Sequence, residues 1–127
     1  MSYYFAKKLD VPFSEAVERT IAALKARGFG VLTRIDVQST LKEKIGADFR
    51  PYVILGACNP KMAHEALKAE DKIGTMLPCN VVVQEVDGGT EVAAVDPVAS
   101  MQAIPNASLA SIAEKVRDEL KAVIEAI

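Results

Sequence analysis

Asn80-Val81-Val82-Val83-Gln84-Glu85-Val86, then Asp87-Gly88-Gly89, then Thr90-Glu91-Val92-Ala93-Ala94-Val95 reads as a β-hairpin. Two β-rich runs flank a turn whose Asp-Gly-Gly chemistry supplies the backbone freedom a tight reversal needs. Upstream, Pro51 to Ala57 reads as a strand with proline at its first position, where a missing donor is tolerated. Gly56 inside it points to a bulge or a close backbone approach. Asn59-Pro60 marks a helix start, with Asn as N-cap and Pro at the first helical position. In that helix Met62, Ala63, Ala66 and Leu67 form a small inner face, and Lys61, His64, Glu65 and Lys68 fall outside it. Ile73 to Leu77 reads as a loop around Gly74.

The flanks extend the pattern. Ser2 to Leu9 carries Tyr3, Tyr4 and Phe5 and suits a strand. Pro12 can open a helix on which Phe13, Ala16, Val17, Thr20, Ile21 and Leu24 recur at helical spacing, and Gly28 ends it. Phe29 to Ile35 reads as a strand. Asp36 can cap a short helix with Val37, Leu41 and Ile45 on one side, stopped by Gly46. Asp96-Pro97 ends the hairpin, and Ser100 to Pro105 connects it to a last helix beginning near Asn106 to Ser108. That helix carries an apolar stripe from Leu109 through Ile112, Val116, Leu120, Val123 and Ile124 to Ile127.

The order is β-α-β-(α)-β-α-β-β-α. It predicts an α+β fold: an antiparallel sheet with helices packed mainly on one face, so that every apolar face is covered. Tyr3, Tyr4, Phe5, Ile124 and Ile127 exceed what one small core needs, which makes a homodimer a natural expectation; they could equally close the monomer core.

Length and charge narrow the function classes. A chain of 127 residues is one domain's worth, 1–127, with enough length for a real core. With 15 Lys+Arg against 17 Asp+Glu, the net charge of -2 argues against a broad nucleic-acid surface. Two cysteines cannot frame a disulfide scaffold. No apolar run approaches the roughly 18 residues of a membrane span. Met1 to Asp10 has no long apolar core of a signal peptide, so the expected location is cytoplasmic. Phosphate-loop, dinucleotide, zinc-protease and serine-hydrolase motifs are missing.

The chemistry that remains is sulfur. Cys58-Asn59-Pro60 and Pro78-Cys79-Asn80 are related contexts. Cys58 follows a strand and precedes a helix N-terminus, whose partial positive charge favours a thiolate. If the strands on either side of Asn59 to Leu77 are antiparallel neighbours, Cys58 and Cys79 meet at one edge of the sheet. Two accounts of them stay open: free cysteines pack as small buried hydrophobes, or the pair has a chemical role. His64 could add a third zinc ligand, but it sits almost two turns into its helix and reads more simply as a surface residue. Asp36 and Asp96 are candidate acids or bases that also read as a helix cap and a strand-ending turn. Tyr52 and Lys42 could face the same cleft; a half-buried strand tyrosine and a solvated helix lysine explain them as well.

The stretch Arg50-Pro51-Tyr52-Val53-Ile54-Leu55-Gly56-Ala57-Cys58-Asn59-Pro60, with Ala63, Ala66 and Leu67, Gly74, and Leu77-Pro78-Cys79-Asn80-Val81-Val82-Val83, resembles the domain-of-unknown-function 302 family. Gly28-Phe29-Gly30-Val31, Asp96-Pro97 and Met101 fit its opening and its later part, so the resemblance spans nearly the whole chain. It implies a TATA-binding-protein-like layout, β-α-β(4)-α with an inserted helix, and a homodimer. It also implies neighbouring strands around Cys58 and Cys79. The shared layout does not imply DNA binding, and the family brings no activity. Its residues Tyr52, Cys58, Asn59, Cys79 and Asn80 mark a site without naming a reaction.

The leading expectation is a module that binds a small ligand or a soft metal ion at Cys58 and Cys79, with Tyr52, Asn59 and Asn80 supplying hydrogen bonds. The first alternative is a thiol redox or sulfur-transfer enzyme with Cys58 as nucleophile and Cys79 as resolving thiol. The second is an interaction protein whose thiols are buried and inert. Neither a nucleic-acid nor a membrane partner is expected.

Overall fold

The computed structural model describes residues 2–127. Its elements are β1 (Tyr4–Leu9), α1 (Phe13–Ala26), β2 (Gly30–Asp36), α2 (Val37–Ile45), β3 (Tyr52–Cys58), α3 (Pro60–Ala69), a 3-10 helix (Asp71–Met76), β4 (Cys79–Val86), β5 (Gly89–Val95), α4 (Pro97–Ser100) and α5 (Ala107–Ala126). The five strands form one sheet in the order β1-β5-β4-β3-β2. Every neighbouring pair is antiparallel, so β2 to β5 form a meander and β1 closes the far edge beside β5. This is the α+β layout the residue pattern predicts.

Alternation along the strands decides which side is core. Val53, Leu55 and Ala57 of β3 stand opposite Val83, Val81 and Cys79 of β4, and Val83 and Val81 stand opposite Val92 and Ala94 of β5. All are buried on one face, because successive strand side chains point to opposite sides. Val17 and Leu24 of α1 and Leu120, Val123 and Ile124 of α5 cover that face and complete the main core. Thr90 is the polar member of the buried face, and its hydroxyl donates to the Val11 carbonyl at 3.0 Å.

A second, smaller core lies beside the first. Ala66 of α3, Ile73 of the 3-10 helix, Met101 after α4, and Leu109 and Ala113 of α5 pack together. The 20 residues of α5, about 30 Å of helix, therefore serve both cores: its N-terminal half the small one, its C-terminal half the large one.

Four local expectations are corrected. Ile73 to Leu77 is not a plain loop: Ile73 is fully buried, and that anchor winds the segment into a 3-10 helix. A short helix, α4, follows Asp96, whose carboxylate accepts from the Val98 N–H at 3.0 Å. Leu67 is 43% exposed and does not join the inner face of α3. No residue of α2 is buried and Ile45 lies in solvent: α2 packs against β2 and β3, but none of its residues joins either core. Ile124 belongs to the main core, and the partly buried Phe5 and Ile127 pack against it.

Candidate functional site

Gly56 fixes the geometry where β3 approaches its end. It pairs with Thr33 across a bulge in β2, and a Cβ there would collide with Thr33 Oγ1 and lie 2.7 Å from the Pro78 ring. Only glycine lets β2, β3 and Pro78 come this close. Two residues on, Cys58 ends β3, and Asn59 turns the chain into α3 by accepting the Met62 N–H on Oδ1 at 3.2 Å. Gly28, at φ +83, leaves room beside Asn59: its missing Cβ would stand 3.2 Å from Asn59 Nδ2. The Leu77–Pro78 peptide is cis, and Cys79 follows as the first residue of β4, opposite Ala57.

These turns bring Cys58 and Cys79 to one cavity. Phe29, Met62, Leu77, Met101 and Ile112 are among its walls, which come from both cores and the seam between them. Its free space is about 30 Å³, room for a water or two. Both cysteines are free; Cys58 is half-buried and Cys79 buried. Burial pushes the Cys79 thiol up from its ordinary 9.0 to about 11, and the neighbouring Cys58 sulfur adds to the shift. Cys79 is therefore a neutral thiol at neutral pH.

The five residues singled out from the sequence divide between two faces. Cys58, Asn59 and Cys79 line the cavity. Tyr52 and Asn80 lie on the opposite face of the sheet, in an open hollow of about 400 Å³ with Tyr4, Val82, Gln84 and Val95 that no helix residue lines. The reason is strand alternation: Asn80 follows the inward Cys79, and Tyr52 precedes the inward Val53. On that open face Arg50 Nε donates to Gln84 Oε1 at 2.9 Å, and Gln84 Nε2 donates to Glu91 Oε1 at 3.1 Å. The Arg50 guanidinium also lies 4.4 Å from the Phe49 ring centre.

The other candidates have structural roles. Asp36 accepts the Ser39 N–H at 3.0 Å and caps α2, as Asp96 caps α4. Lys42 pairs with Asp48 at 3.0 Å in solvent. His64 is exposed on α3 and is not part of the cavity lining. Among the described residues, no group of three or more His, Cys, Asp or Glu side chains is arranged to hold a metal. No described helix is long and apolar enough to cross a membrane. The sequence reading assigns neither methionine of the cavity wall to the site: Met62 reads as an inner-face residue four positions after Cys58, and Met101 only as a match to the family's later part.

Fold and cavity together define an α+β domain with two thiols at the seam between a large and a small core. The chain belongs to the family described as "Domain of unknown function DUF302", whose profile matches residues 5–127. It is similar to the crystal structure of an uncharacterized conserved DUF302 protein from Bacillus stearothermophilus, with a TM-score of 0.92 and 32% sequence identity over 98% of each chain. No curated protein matches the chain.

Proposed function

We propose that the domain binds a soft metal ion between Cys58 and Cys79. One observation carries this reading: two free thiols from adjacent strands line a single apolar cavity with about 30 Å³ of free space. That space suits a bare ion. Organic ligands occupy pockets of roughly 300–1,000 Å³, so the volume favours the metal over the small molecule. Thiolates select soft ions, and the ion must displace the proton that burial keeps on Cys79. A reducing cytoplasm, the location expected for this chain, would keep both thiols available.

The test is native mass spectrometry of reduced, metal-free protein after anaerobic addition of Ag(I), Cd(II) or Zn(II). One retained ion per chain, lost in Cys58→Ser and in Cys79→Ser, is the expected result. Retention unchanged in both variants, or none by the wild type, would overturn the proposal.

The redox alternative rests on the same proximity, with Cys58 as nucleophile and Cys79 as resolving thiol. The burial of Cys79 counts against it, because a resolving sulfur must attack as thiolate.

We also infer that two copies pair through the open sheet face. Tyr4, Tyr52, Val82, Ala93 and Val95 line its hollow, to which no helix contributes a residue, and Tyr3 at its margin is 69% exposed. Paired copies would cover this surface by two-fold symmetry.

A further inference from the structure

We propose that Met62 and Met101 complete the thiol site as thioether donors and make it select a monovalent d10 ion, Cu(I) or Ag(I), over Zn(II). The inference rests on the proposal that Cys58 and Cys79 hold a soft ion, and it adds the class of that ion.

The donor inventory of the cavity carries it. Its lining joins Cys58, Cys79, Met62 and Met101 to hydrocarbon side chains and one amide, that of Asn59. Asn59 Oδ1 is already engaged, accepting the Met62 N–H at 3.2 Å. The donors left to an ion are two thiols and two thioethers. Zn(II) takes four ligands from thiolate, imidazole and carboxylate, and this wall offers only two of that kind. Cu(I) and Ag(I), unlike Zn(II), accept neutral thioether sulfur beside thiolate and are satisfied by few donors, which is the selection that soft thiolate and thioether sets make.

The two methionines are also held in place. The backbone N–H of Met62 is fixed by the cap of α3. The Met101 N–H donates to the Pro97 carbonyl at 3.0 Å, and its side chain is buried in the small core. By contrast Met76, outside the cavity, is exposed. Methionine also fills irregular gaps in cores, so the decisive comparison keeps the volume and removes the sulfur.

Met62→Leu and Met101→Leu do this, since Leu and Met exchange at small cost in packing. Affinities are measured anaerobically by competition with a chromophoric Cu(I) chelator and, separately, a Zn(II) chelator, on full-length folded protein. The wild type is expected to bind one Cu(I) far more tightly than Zn(II). Losing even an outer-shell partner costs roughly 10–100-fold in metal affinity, so each leucine variant is expected to weaken Cu(I) by at least about tenfold and leave Zn(II) unchanged. Cu(I) affinity equal to wild type in both variants would remove the thioethers from the site while leaving the thiol pair standing. A wild type that prefers Zn(II) would overturn the selectivity. A wild type that binds neither ion would overturn the thiol site as well.

Discussion

Cys79 stands opposite Ala57 in the β3–β4 ladder, so it enters the helix-covered side of the sheet one residue away from Cys58. The ladder carries Cys79 into the main core, whereas Cys58 ends its strand and borders the same cavity half-buried. One thiol is thus within reach of solvent and the other is buried. The consequences of that arrangement, and of the packing that creates it, can be measured.

Gly56→Ala should destabilise the protein by about 1–3 kcal/mol, the usual range for forcing a methyl into a packed site. The new methyl would collide with Thr33 Oγ1 and the Pro78 ring. Adding Thr33→Ala should restore part of the loss, the part caused by the hydroxyl. Chemical denaturation of both variants checks this, and no recovery in the double variant would place the conflict elsewhere.

Asn59→Ala removes the cap of α3 and should cost about 1 kcal/mol; Asn59→Asp, which still accepts the Met62 N–H, should cost much less. Equal losses in the two variants would mean that the cap bond does not hold this turn.

Cys79 should make the protein less stable in alkali. Its folded pKa, about 11, lies above the ordinary 9.0, so above pH 9 the unfolded chain releases this proton and the folded chain keeps it. Unfolding therefore becomes easier as pH rises from about 9 to 11, by roughly 2–3 kcal/mol in total; this loss is absent below pH 9 and complete above the folded value. The measurement is the difference in stability between wild type and Cys79→Ala across that range. A difference that stays flat from pH 8 to 11 would contradict the burial argument.

If two copies meet on the open sheet face, Val82→Glu should separate them, since it sets a charge in the middle of that surface. Light scattering should show the wild type at twice the chain mass and the variant at one chain mass, with the monomer fold intact by circular dichroism. A monomeric wild type would remove the proposal.

Much of this architecture was legible in the residue order. The Asp87-Gly88-Gly89 turn, the Asn59-Pro60 start and the Asp36 cap are local chemistry, and each forms as its residues dictate. The meeting of Cys58 and Cys79 followed from treating their strands as antiparallel neighbours. What stayed hidden depends on tertiary packing. Ile73 gave no sign that it would anchor a second core, and Leu67 and Ile45 sit at apolar helical positions that find nothing to cover them. The family resemblance groups Tyr52 and Asn80 with the cysteines, but alternation puts their side chains on the other face of the sheet. Met101 reaches the cavity from more than 20 positions beyond Cys79, a contact no short motif encodes.

The most direct test of the central claim is mass-mapped alkylation of Cys58 and Cys79 under anaerobic conditions, with and without one equivalent of Cu(I). In the metal-free protein Cys58 should label quickly and Cys79 slowly. With the ion present, both should be protected together, and a chelator in excess should restore the original pattern. Labelling of Cys58 at the same rate with and without the ion would contradict a shared metal site.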